Sequence, residues 1–190
     1  ALSHKGLMQR KYVQTFLHNY SHLECLPIDI PKNTWESDND VLGFIYQSLM
    51  TEGERNITGQ YYTCKSVVDY MLEGKELSDT ETFLDPCCGS GAFLMAVKTN
   101  KPENLFGFDI NPISVLIASV NLLIKYHDKE FLPNIYCLDF LRNDILTANC
   151  RNNIPLKFDY IFTNPPWGSD KDCIYTNSYP LIKSKEKASM

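Results

Sequence analysis

The run Phe83-Leu84-Asp85-Pro86-Cys87-Cys88-Gly89-Ser90-Gly91-Ala92-Phe93 leads from a short apolar stretch through a glycine turn into Leu94-Met95-Ala96-Val97. A turn of this kind lets a ligand lie against bare backbone, because no Cβ blocks its approach and a helix start offers N–H groups. The spacing is not the dinucleotide fingerprint, whose third glycine would fall on Leu94. Asp109 follows Gly91 by 18 residues, close to the ~20 that sets an acid on a ribose. A carboxylate suits vicinal hydroxyls because it can accept from both. Asp139 stands where it can accept from an exocyclic amine. There is no G-x-x-x-x-G-K-[ST] run to hold a phosphate, so the ligand drawn is an adenosine without a phosphate requirement.

A second chemical element is Asn164-Pro165-Pro166-Trp167. Two prolines remove two backbone donors and fix φ, which makes the loop rigid. Its carbonyls and the Asn164 side-chain oxygen are acceptors, with the Trp167 ring beside them to stack on a planar base. That set fits a flat substrate carrying an NH2 group: two acceptors orient its hydrogens and free the nitrogen lone pair to attack an electrophilic methyl. The chemistry requires neither a metal nor a basic residue.

These residues must be positioned by elements that the sequence outlines. Met8, Tyr12, Phe16 and Tyr20 recur at helical spacing and predict an amphipathic helix over 5–20. Residues 21–37 read as a loop with Trp35 as an anchor. A second helix is expected from a cap at Asn39 or Asp40 to Met50, with Val41, Ile45 and Leu49 on its stripe. A third starts at Lys65 and is closed by Gly74.

From there strands and helices alternate. Strands are expected at 81–85, 105–110, 134–139 and 158–163, with helices at 91–98 and from Pro112 to Tyr126. Asn111 caps the latter and Pro112 opens it. This alternation predicts a parallel sheet with helices on both faces, and ligands at the carboxyl ends of the strands. Asp85, Asp109, Asp139 and Asn164 fall at four successive strand ends.

Composition bounds the class. At 190 residues, 44% hydrophobic and 22% charged, the chain suits one well-buried domain. No apolar run approaches the ~20 residues that span a bilayer, so the reading is a cytoplasmic protein without a membrane role. The seven cysteines include the adjacent Cys87-Cys88 but no C-x-x-C, and read as reduced thiols. A net charge of −5 does not announce a nucleic-acid binder.

Taken together, Asp85-Pro86 through Gly89-Ser90-Gly91 and Phe93, Asp109-Ile110, Asp139-Phe140 and Asn164 to Trp167 resemble the S-adenosylmethionine-dependent DNA methyltransferases of restriction-modification systems that modify adenine N6. Type I modification subunits and fused restriction–modification enzymes are the most similar groups. Gly59-Gln60-Tyr61-Tyr62-Thr63 also matches, as the segment that binds the methionine part of the cofactor. The resemblance implies a Rossmann-like methyltransferase fold of the α/β class, here with its first four strands only, preceded by an N-terminal helical segment. It divides the chain into a helical segment at 1–58 and an S-adenosylmethionine-binding domain at 59–190.

It implies cofactor contacts from Gln60, Tyr61, Tyr62, Thr63, Asp85, Cys87, Gly89, Ser90, Gly91, Phe93, Asp109, Ile110, Asp139, Phe140 and Asn164. Asn164, Pro165, Pro166 and Trp167 would be catalytic, acting on an adenine flipped from double-stranded DNA. The later strands and the target-recognition part of that family are missing, so the chain reads as C-terminally truncated. The absent part would carry the DNA contacts, with a specificity subunit or fused nuclease as partner. The fourth strand would be an exposed edge open to self-association. On the residues alone, N5-glutamine methylation of protein, N2-guanine methylation of RNA and an inactive cofactor-binding module stay open.

Overall fold

β1 (Phe83–Asp85) is buried at every position, and β2 (Leu105–Asp109) at all but its last. Strands without polar alternation are those covered on both faces. They lie at the centre of a four-stranded parallel sheet of order β3-β2-β1-β4, with β3 at Asn134–Cys137 and β4 at Tyr160–Ile161. In this computed structural model the described residues are 2, 3, 5–21, 40–50, 63–140 and 154–165. Gln60, Tyr61, Tyr62, Pro166, Trp167, the 22–37 loop with Trp35, and Cys25, Cys150 and Cys173 lie outside them.

Alternate strand residues face opposite sides, and the core divides accordingly. Phe83, Leu105 and Ile135 belong to the larger cluster, with Leu84, Phe106 and Phe108 in a smaller one. The larger cluster is filled by α1 (Lys11–His18), α3 (Lys65–Met71), α4 (Ala92–Ala96) and α5 (Pro112–Lys125). The smaller is closed by Ile154 with Phe158, Tyr136 and Phe140. Leu7, Val13 and Phe16 share the larger cluster with the sheet, so the N-terminal helix packs on the same core as the strands. Among the described residues β4 is an outer strand, and no helix is long and apolar enough to cross a membrane.

Two expected helices are shorter. The 5–20 helix is a 3-10 turn at Leu7–Gln9 followed by α1, with extended Arg10 between them. Buried Leu7 enters the core from that turn. The 91–98 helix ends at Ala96 because Val97 turns extended and Lys98 pairs in parallel with Glu76. Leu77 N–H donates to Lys98 carbonyl at 3.0 Å. The carbonyls released at this early end accept from Lys125 Nζ, Met95 at 2.6 Å and Val97 at 2.8 Å. β3 and β4 are also shorter than read, so Asp139 and Asn164 lie two and three residues past their strands.

The expected cap of α5 is present: Asn111 Oδ1 accepts from Ile113 N–H at 2.9 Å, and Pro112 opens the helix. α2 (Val41–Leu49) starts at Asp40, whose carboxylate accepts from Gly43 N–H at 2.7 Å. Leu94, fully buried where α4 meets the sheet and α5, tests this packing. Leu94→Ala should lower unfolding free energy by about 2–5 kcal/mol, measured by urea denaturation with the m-value preserved.

Candidate active site

The glycine turn between β1 and α4 is tied down on every side. Cys87 N–H donates to Asp85 Oδ1 at 3.2 Å, Cys88 N–H to the Phe108 carbonyl at 2.8 Å and Gly89 N–H to Asp109 Oδ2 at 2.9 Å. Gly89 and Gly91 take φ of +52° and +94°, the left-handed region that glycine enters without penalty. At Gly91 a Cβ would also stand 3.3 Å from the Ala118 Cβ of α5. The turn is therefore pressed against α5 and cannot carry a side chain there.

Over this turn opens a cleft lined by Thr63, Asp85, Cys87, Gly89, Ser90, Phe93 and Asn164 among others. Thr63 and Asn164 stand 101 positions apart in the chain, yet Asn164 Nδ2 donates to Thr63 Oγ1 at 3.2 Å. Seven of the residues singled out from the sequence thus meet at one cleft. Gln47, Cys88 and Ala92 also line it and were not singled out.

The remaining candidates sit beside this lining. Asp109 braces the turn: besides Gly89 it accepts from Asn111 N–H at 2.8 Å through Oδ1. Ile110, next in the chain, is 68% exposed and presents a bare apolar surface. Phe140 packs on Phe108, ring centroids 5.8 Å apart, in the smaller cluster. Asp139 is half-buried after β3, and its charge reaches Cys87 together with those of Asp85 and Asp109. The three strand-end acids therefore converge on the turn, although only Asp85 faces the cleft.

That convergence sets the electrostatics. Burial pushes the Asp85 carboxyl up to about 7, with the Thr163 side chain and Cys87 N–H pulling down and Asp109 pushing up. Asp109 is raised by burial against three backbone N–H donors. Burial and the neighbouring acids lift the Cys87 thiol to about 11, so it stays protonated at neutral pH. Among the described residues the lining contains one carboxylate and no Lys, Arg or His. Such a site suits a cationic ligand and repels a phosphate.

The wall opposite the turn is α2, and a buried carboxylate holds it in place. Asp40 is 7% exposed. It accepts from Gly43 N–H, from Asn121 Nδ2 of α5 at 2.6 Å and from the Ser90 hydroxyl. Asn121 Nδ2 also donates to the Ser90 carbonyl at 3.0 Å. The hydroxyl of Ser90, a candidate ligand contact, is thereby spent on this clamp. One turn further along α2, Tyr46 OH accepts from Asn111 Nδ2 at 2.8 Å.

The model of the family described as N-6 DNA Methylase matches residues 37–188. The chain is 36% identical over 168 residues to the type II methyltransferase M.VspI of a Vibrio species, covering 83% of this chain and 38% of that protein. It is 25% identical to the MjaIX type I methylase subunit of Methanocaldococcus jannaschii, covering 88% of this chain and 30% of the relative. The chain thus spans 30–38% of these relatives' length. Two solved structures share the fold. The DrdV–DNA complex aligns over 80% of this chain and 18% of its own, at TM-score 0.52 and 19% identity. A type I modification subunit from Vibrio vulnificus YJ016 aligns over 89% and 35%, at TM-score 0.50 and 22% identity.

Two tests follow from the geometry. Folded Asp85 keeps its proton up to about pH 7, whereas an unfolded Asp loses it near pH 3.8. Stability of the ligand-free protein should therefore fall as pH rises between about 4 and 7, by at most about 4 kcal/mol. Asp85→Asn should flatten that dependence in denaturation curves taken across the range. At Gly43 a Cβ would overlap the Asp40 carboxylate and stand 2.5 Å from Ser90 Oγ. Although alanine is the better helix former by about 1 kcal/mol, Gly43→Ala should lower the melting temperature rather than raise it.

Proposed function

Because the chain belongs to the N-6 DNA methylase family, we propose that it contributes the cofactor-binding and amine-presenting parts of an enzyme that transfers a methyl group from S-adenosylmethionine to the N6 amine of adenine in DNA. The observation that carries this reading is the meeting of Thr63, the glycine turn and Asn164 at one cleft whose only lining charge among the described residues is a carboxylate. The cofactor supplies an electrophilic methyl on a cationic sulfonium, and its charge suits a cleft without basic residues.

The residues present fit that ligand. Asp85 offers the negative charge. Gly89 and Gly91 allow close approach to backbone, and Thr63 offers a hydroxyl. Asp109 braces the turn through two backbone N–H groups; a carboxylate has about four lone-pair sites, so capacity remains for a ribose hydroxyl. Exposed Ile110 follows as an apolar surface for the adenine, with Asp139 and Phe140 across from it in this assignment. Gln60, Tyr61 and Tyr62 precede Thr63 in the chain and belong to the same methionine-binding segment.

At the target end, Asn164 would accept a hydrogen of the adenine amine through Oδ1 while Thr63 holds Nδ2. The carbonyl of Pro165 would take the second hydrogen, and Pro166 would keep that corner stiff. The Trp167 ring would stack on the base, an interaction of about 1–3 kcal/mol. Gripped at both hydrogens, the nitrogen would turn its lone pair toward the methyl and form the N–C bond as the methyl–sulfur bond breaks and its electron pair returns to sulfur, leaving a thioether, and would then shed one proton to solvent. The adenine must leave the duplex to reach this corner. The phosphate contacts, and any specificity subunit or nuclease, belong in this reading to regions beyond the matched third, in a cytoplasmic protein.

Incubating the complete gene product with methyl-labelled S-adenosylmethionine and unmethylated duplex DNA, then digesting to nucleosides, should yield labelled N6-methyladenine. Asn164→Ala should cut that yield by at least a hundredfold, far more than it weakens cofactor affinity by calorimetry. Labelled cytosine, or unaltered turnover of the variant, would overturn the assignment.

A further inference from the structure

Resting on the reading above, we infer that Gln47 of α2 is a ligand-contacting residue that donates to the carboxylate of the cofactor's methionine moiety. The inference starts from the charge inventory of the cleft. A methionine moiety brings a carboxylate as well as an ammonium, yet among the described residues the lining has no Lys, Arg or His to receive it. Only neutral donors can. Ser90 Oγ is committed to Asp40, and Asn164 Nδ2 donates to Thr63. Besides the Thr63 hydroxyl, which accepts from Asn164, the other side-chain donor of this kind among the described lining residues is the amide of Gln47.

The placement of Gln47 is built rather than incidental. Residues i, i+3 and i+4 share a helix face, and here these are Gly43, Tyr46 and Gln47. Gly43 abuts Asp40 and Ser90 so closely that no Cβ fits, which brings the helix backbone against the glycine turn. Tyr46 is held by Asn111 at 2.8 Å. With the preceding turn clamped and its neighbour tethered, Gln47 projects into the cleft between α2 and the glycine turn. An amide is the side chain that can donate to a carboxylate without adding a positive charge that would oppose the sulfonium.

The test compares S-adenosylmethionine with its decarboxylated analogue by calorimetry on the complete gene product, with thermal unfolding as a folding control. A hydrogen bond to a charged group predicts that Gln47→Ala weakens S-adenosylmethionine about tenfold or more. Affinity for the decarboxylated analogue should stay within twofold. Gln47→Glu should reverse the preference, repelling the carboxylate-bearing ligand and favouring the analogue. Equal losses for both ligands would mean that Gln47 only packs, and unchanged affinities would mean it makes no contact; either result overturns the inference. If the unaltered protein binds neither ligand, the reading of the cleft itself fails and the inference with it.

Discussion

Asp40 is a buried carboxylate with no cation beside it among the described residues, and the shape of the cleft depends on how its charge is met. Leaving such a group unpaired would cost several kcal/mol. Here three donors compensate it: the backbone of Gly43 close by in the chain, and from distant parts of it the amide of Asn121 and the hydroxyl of Ser90. Each donor belongs to a different wall. The carboxylate thus ties α2, α5 and the glycine turn into one rigid unit, since moving any wall would strand buried charge. Asn121 reinforces it by donating to the Ser90 carbonyl as well.

The strand-end acids show the same economy. Asp85 accepts from Cys87 N–H, and Asp109 from Gly89 and Asn111 N–H. Asn111 in turn caps α5 and reaches Tyr46. These residues build the turns on which a ligand would rest, and a hydrogen bond to the backbone leaves a carboxylate with further lone pairs. Folding and binding therefore draw on one set of oxygens. The consequence is stiffness: the left-handed Gly89 and Gly91, the acids and the packed Ala118 fix the turn before any ligand arrives.

Much of this was legible in the residues. The strand–glycine turn–helix reading of 83–97, the Asn111-Pro112 cap and the alternation of strands and helices all appear in the fold, because each rests on local rules of turn and cap chemistry. The alternation alone leaves the strand order open, since doubly wound sheets share it, and the observed order β3-β2-β1-β4 agrees with the Rossmann-like fold that the resemblance implies. Asp40 was visible as a helix cap, which it is, but not as a tie to Asn121, 81 positions away. Asn121 and Gln47 carried a signal that went unused: each is a polar residue inside an otherwise apolar helix. The end of α4 at Ala96 was not legible either, since it depends on Leu77 and Lys98 pairing across the fold.

The charge of the cleft has a further consequence for a methyl-transfer site. A lining with one buried carboxylate and no cation stabilises a positively charged ligand and gives a neutral one little in return. A sulfonium meets that condition before transfer, whereas the thioether left afterwards does not. On the proposed reading the Coulombic part of binding would disappear with the methyl, and the attraction that loads the site would not hold the product. Asp85 strengthens this contrast: burial makes it reluctant to ionise alone, so a nearby cation both gains its charge and draws its proton off. A basic residue in place of Gln47 would serve the ligand carboxylate but weaken this discrimination, because its charge would oppose the sulfonium and favour the neutral product. A neutral donor on a clamped helix resolves the two demands together.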